Sequence, residues 1–144
     1  MRLHPLVERL LTHHGAAAVG ADTLDAWLAQ GGEQVLFFVG DPVRFAEGLD
    51  VAVVLPELQA AFGRRFAIGV ALREHEEALA RRWGVQRWPS LVFLRDGRYL
   101  GTISGMKDWE VYRQEVAQVL AVTAARAPTV GIPVVAAGGN GACS

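Results

Sequence analysis

Thiol chemistry has a single candidate in this chain, Cys143, one residue from the end of the sequence. A lone cysteine can neither close an internal disulfide nor find a second sulfur to resolve a mixed one. Cys143 therefore reads as an inert tail residue, and the fold does not rely on oxidation. Metal chemistry would have to start from His13 and His14, but neighbours on a helix diverge by ~100° and metal ligands must converge on one ion. His75 stands among charged residues and reads as solvated, as do the basic pairs Arg64-Arg65 and Arg81-Arg82. No set of thiolates or imidazoles could hold an iron–sulfur cluster, and no cofactor is expected. What remains is a group of carboxylates, Asp41, Glu47, Asp50 and Glu57, around the start of a helix, and an aromatic–proline pair, Trp88-Pro89, further on. Asp50 sits where a helix dipole favours negative charge. The acids can be a cap with solvated neighbours. They can equally be a patch that meets a cationic segment, since arginine pairs bidentately with carboxylate.

Composition limits what those residues can serve. The 144 residues suit one compact domain, and 51% hydrophobic against 20% charged residues is apolar enough for a buried core. The net charge of −1, from 14 basic and 15 acidic residues, lacks the clustered basic excess of a nucleic-acid binder. The first residues are broken by Glu8, Arg9, His13 and His14, unlike a secretory signal with its apolar core of ~7–15 residues. No run approaches the ~20 apolar residues of a membrane span. A cytoplasmic protein that does not insert into membranes is expected.

The elements that must carry these residues follow from periodicity. Leu3, Leu6, Val7, Leu10 and Leu11 recur at helical spacing over 4–14, with Gly15 as the stop. A short strand over 16–19 precedes a helix opened by Asp22 or Thr23 as cap and ended at Gly31-Gly32. The unbroken run Val35-Leu36-Phe37-Phe38-Val39 reads as a central strand buried on both faces. Gly40-Asp41-Pro42 breaks it, and Val43 to Gly48 is a loop or short turn. A helix over 49–62 carries Pro56, which removes a hydrogen bond and should kink it. A strand over 66–72, a polar-faced helix over 73–83 and a strand over 90–94 follow. Asp96-Gly97 marks a hairpin turn to a partner strand over 99–104. The last helix, 108–122, has Trp109, Tyr112, Val116 and Leu120 on one stripe. Strands alternating with helices imply a parallel core, to which the hairpin adds an antiparallel edge. The expected division is a domain over 1–127 and a mobile tail over 128–144, whose Val130–Val135 segment is apolar enough to dock somewhere.

The stretch Gly84-Val-Gln-Arg-Trp-Pro89-Ser-Leu-Val-Phe-Leu-Arg-Asp-Gly97, with Gly105 beyond it, resembles the thioredoxin segment around its cis-proline. Pro56 resembles the proline of that family's active-site helix. The resemblance implies an α/β thioredoxin-like fold, a mixed central sheet flanked by helices, and a cis bond between Trp88 and Pro89. It also places the family's two redox cysteines at Gly48 and Val51, so there is no Cys-x-x-Cys motif: the window reads Gly48-Leu49-Asp50-Val51. Neither residue forms a thiolate, the nucleophile of disulfide exchange. The family's buried acid falls near Phe37, which relays no proton. Partners of such folds lie across the cis-proline loop and the start of the kinked helix. The partner-binding residues implied are Asp41, Glu47, Gly48, Leu49, Asp50, Val51, Trp88 and Pro89, with Trp88 half-exposed as an anchor and its backbone open to strand addition.

Four further segments resemble a narrower group: Phe37-Phe38-Val39-Gly40-Asp41-Pro42, Val54-Leu55-Pro56-Glu57-Leu58, Trp88-Pro89-Ser90-Leu91-Val92-Phe93 and Gly105-Met-Lys-Asp-Trp109. These look like the HyaE/HoxO-type accessory proteins of uptake [NiFe]-hydrogenase operons. That resemblance implies a non-enzymatic chaperone that binds the hydrogenase small-subunit precursor before export, with the precursor's twin-arginine signal peptide as a candidate for the segment bound. Other maturation proteins are further partners it implies. The alternative is a redox-inactive thioredoxin-like interaction domain serving another complex, because a fold does not fix a function.

Overall fold

The computed structural model describes residues 4–122. Eleven elements follow one another: α1 (Pro5–His13), β1 (Ala17–Val19), α2 (Leu24–Leu28), β2 (Glu33–Phe38), α3 (Glu47–Ala61), β3 (Phe66–Ala71), a 3-10 turn (Arg73–His75), α4 (Glu76–Arg82), β4 (Ser90–Arg95), β5 (Arg98–Ser104) and α5 (Trp109–Ala121). The strands form one sheet in the order β1-β3-β2-β4-β5. β1, β3 and β2 run parallel, while β4 is antiparallel to β2 and to β5. The antiparallel part thus begins at the centre of the sheet, one strand further in than a simple closing edge. The 1–127 boundary, Leu3, Cys143 and the 128–144 tail lie outside the described residues.

Alternation along the strands separates two cores. Val35 and Phe37 of β2 join Phe66, Ile68, Val70, Leu91 and Phe93 under α1, α3 and α5. Leu36 and Phe38 point the other way, joining Val92 and Leu94 under α2 and α4 with Trp27, Leu79 and Trp83. This is why the β2 run has no polar break: both faces are covered. Trp27 lies so close over β3 that a Cβ on Gly69 would stand 2.6 Å from its ring. Pro56 sits inside α3, which runs unbroken from Glu47 to Ala61 and starts two residues earlier than periodicity alone indicates.

Three local expectations are corrected. Thr23 precedes α2 but makes no capping hydrogen bond to it; its hydroxyl accepts from Gly20 N–H at 2.8 Å instead. His75 is half-buried, and its Nδ1 accepts from the Ala21 amide at 2.8 Å, tying the loop after β1 to the 3-10 turn. Arg65 is not merely solvated: together with Arg95 it pairs with Glu33. The Asp96-Gly97 turn has φ of 51° and 79°, the left-handed pair expected of a two-residue hairpin loop.

Candidate protein-docking site

One end of the sheet collects the residues the sequence singled out. Phe38 pairs with Ser90, and Ser90 with Ser104, so Val39-Gly40, Pro89 and Gly105 share that end. The Trp88–Pro89 bond is cis. Gly105 N–H donates to the Pro89 carbonyl at 2.8 Å, and Ser90 Oγ bonds both the Arg87 carbonyl (2.6 Å) and Ser104 Oγ (2.8 Å). These bonds fix the turn before β4. Trp88 itself takes part in no backbone hydrogen bond among the described residues, so its N–H and C=O are free to pair with an added strand.

Gly48 begins the helix α3 hard against the same end. A Cβ there would stand 2.5 Å from the Val39 carbonyl oxygen. The position aligned with a nucleophilic cysteine is therefore occupied by close backbone approach and admits no side chain. Val51, one turn on, is 1% exposed and belongs to the core, and Phe37 fills the same core with no exposure. Of the implied partner-binding residues, Gly48, Val51 and Pro89 are thus buried supports; Glu47 and Asp50 are exposed, and Asp41, Leu49 and Trp88 half-buried. The four acids do not converge. Asp41 turns back to accept the Val43 amide with Oδ1 at 2.9 Å. Glu47 lies on the α5 side, where its charge acts on the Tyr112 hydroxyl. That hydroxyl donates to the Gly105 carbonyl at 2.7 Å. Burial pushes its pKa up to about 12, with Glu47 and Glu115 adding to the rise against the Lys107 amide.

On the α4 side Trp88 lines a groove of about 570 Å³ with Gly40, Phe45, Arg87 and Glu76. Phe45 stacks on Trp88 with ring centroids 6.4 Å apart and planes at 28°, and the Arg44 guanidinium lies 5.2 Å over Phe45. Gly40 makes this possible: at φ 82°, a Cβ would meet Trp88 Cβ at 2.9 Å and the Phe45 ring at 3.0 Å. Glu76 is 1% exposed and accepts from Gly40 N–H at 2.9 Å and Arg73 at 3.1 Å. Burial pushes its carboxyl above the usual range, partly offset by the Gly40 amide and Arg73. Sequence reasoning read 73–83 as a polar-faced helix and did not single out Glu76. The missed signal is that Glu76, Leu79, Ala80 and Trp83 share one i, i+3, i+4, i+7 stripe. Among the described residues no group of three or more histidine, cysteine, aspartate or glutamate side chains could hold a metal, and no helix is long and apolar enough to cross a membrane.

The fold and site define a thioredoxin-like domain whose nucleophile position is sealed by backbone and whose cis-proline edge is retained. A thioredoxin of Halobacterium salinarum, 20% identical, superposes with a TM-score of 0.60 over 75% of this chain and 93% of its own. The sequence family described as hydrogenase-1 expression protein HyaE matches residues 6–112, and the chain belongs to it. The hydrogenase expression/formation protein HoxO of Cupriavidus necator is 57% identical over 141 residues, covering 96% of this chain and 88% of that protein. The hydrogenase expression/formation protein HupG of Bradyrhizobium diazoefficiens is 41% identical over 129 residues, 87% of each. A crystal structure of HupG from Rhodopseudomonas palustris, 42% identical, gives a TM-score of 0.53 over 73% of this chain and 95% of that one. The chain accordingly has a role in hydrogenase maturation.

Proposed function

We propose that this protein is a non-enzymatic cytoplasmic chaperone that binds the hydrogenase small-subunit precursor before export. The precursor lays an extended segment, its twin-arginine signal peptide, across Trp88 and Pro89. The observation that carries this reading is the contrast at one end of the sheet. The thiol position is closed by the Val39 carbonyl at Gly48, while the partly buried Trp88 beside it makes no backbone–backbone hydrogen bond among the described residues. A docking edge remains where the chemistry has gone. Glu47 and Asp50, exposed at the start of α3 and ion-paired with nothing among the described residues, suit the arginines of such a segment.

Co-purification tests it directly. Tagged protein should retain a signal-bearing small-subunit precursor and release one lacking the signal. Equal retention of both would move the contact off the signal peptide. Retention of neither, with another protein captured reproducibly, would favour an interaction domain for a different complex.

A further inference from the structure

The β2–α3 connection, residues 41–46, passes over Trp88 as a strap. Its hydrogen bonds are its own or those of the helix it leads into. Phe45 N–H bonds the Asp41 carbonyl at 2.7 Å, Val43 N–H bonds Asp41 Oδ1, and the Phe45 carbonyl receives Gly48 N–H at 2.9 Å. Its middle is solvated: Val43 is 92% exposed, and Arg44 and Ala46 are exposed too. An aromatic contact joins this strap to the body of the protein, the Phe45–Trp88 stack. The same tryptophan carries an anomaly. Trp88 Nε1 is buried from solvent yet has no hydrogen-bond acceptor. An indole N–H normally finds a partner when buried, and a buried donor without one calls for a reason. The two ends of the strap are fixed, one by Gly40 N–H on the buried Glu76 carboxylate, the other by Gly48 against Val39. Gly40, at φ 82°, supplies the backbone freedom to swing what lies between.

We propose that Phe45 is a displaceable cover. A partner segment crossing Pro89 brings its own bulky apolar side chain onto Trp88 in place of Phe45, and a partner backbone carbonyl accepts the Trp88 Nε1 proton. This rests on the docking role assigned above to the Trp88–Pro89 edge. It adds a requirement on the ligand: an extended peptide with a large apolar side chain at the position that meets Trp88, not charge alone. It also makes the free protein partly self-blocked.

Two measurements test this, and they fail separately. Hydrogen exchange of the Trp88 indole proton, followed by NMR on the free protein, should be protected in the wild type. Phe45→Ala should quicken it at least about tenfold with the fold otherwise intact. Titration with the signal-bearing precursor should show Phe45→Ala binding roughly two- to tenfold tighter, the range expected for removing one competing aromatic pair. Trp88→Phe, which keeps the apolar face and loses the donor, should bind more weakly in both backgrounds. If Phe45→Ala binds the precursor more weakly or equally, Phe45 is part of the contact surface or irrelevant to it, and the cover is wrong. Unchanged indole exchange overturns it as well. A wild-type protein that does not bind the precursor at all overturns the docking role itself, whatever the exchange rates show.

Discussion

Gly48 decides the chemistry at the scale of a single residue. An added Cβ at 2.5 Å from a carbonyl oxygen cannot be relieved by rotating a side chain, because the obstacle is backbone. Restoring the dithiol by Gly48→Cys with Val51→Cys should therefore yield no disulfide reductase, assayed by turnover of a model disulfide. Gly48→Cys alone should lower stability by about 1–3 kcal/mol, the cost of overpacking, read from a shifted urea midpoint. Genuine turnover by the double variant would show that the helix start can retreat. The absence of cysteine at 48 and 51 was plain from the sequence. That the site could not accept one was not, since nothing in the letters Gly48-Leu49-Asp50-Val51 reports the Val39 carbonyl. His75 shows the same limit: charged neighbours implied solvation, but its acceptor role depends on Ala21, far away in the chain.

Among elements, the sheet's two cores set what each strand tolerates. Gly69 lies on the α2–α4 face, and Trp27 covers it. Gly69→Val should force the indole off β3 and cost about 1–3 kcal/mol, seen as a lower denaturation midpoint with a change in tryptophan emission. The base of the sheet is held by Glu33 between Arg65 and Arg95, the two arginines also reaching the Leu120 carbonyl. Burial alone would raise the Glu33 pKa; the hydrogen bonds from Arg65 and Arg95 outweigh it and hold the carboxyl below its usual value of 4.5. Its stabilisation is present above the unfolded value and is lost as pH falls through the lowered folded value. Glu33→Gln should thus cost about 1 kcal/mol at neutral pH, discounted for the solvent around Arg65, and the gap from wild type should close in acid. Glu76 has the opposite sign. Its folded value is raised, so its unfavourable contribution appears as pH rises through the unfolded and then the folded value. Wild-type stability measured across pH 3–8 against both single Gln variants separates the two. The succession of helices and strands along the chain, the hairpin and the helical stripes were legible because period-2 and period-3.6 patterns are local. The antiparallel placement of β4 beside β2 was not, because pairing partners are set by tertiary packing.

At the scale of the whole molecule, the end of the sheet around Trp88 is electrostatically mixed. Arg44, Arg73 and Arg87 line the Trp88 groove together with Asp41, Glu76 and Glu77. Glu47 and Asp50 do not line that groove, and the Glu47 charge acts on Tyr112 of α5. Reversing Asp41, Glu47 and Asp50 to lysine should weaken capture of the signal-bearing precursor at low salt at least tenfold, most of it from Glu47 and Asp50. Unchanged affinity in a calorimetric titration would remove charge from the recognition. The family was recognisable from the chain alone because its motifs are contiguous. The groove was not, being assembled from a loop, a 3-10 turn and the start of a strand.

The anchored base has a practical corollary. Arg95 closes β4 and donates to the Val122 carbonyl at 2.9 Å, whereas Pro89 precedes the first residue of the same strand. Six residues of strand separate the two poles by roughly 20 Å. A fluorophore attached at the exposed Val122 would stand at the pole remote from Trp88 and Pro89. It can therefore be read as a distance gauge without standing in the ligand's way.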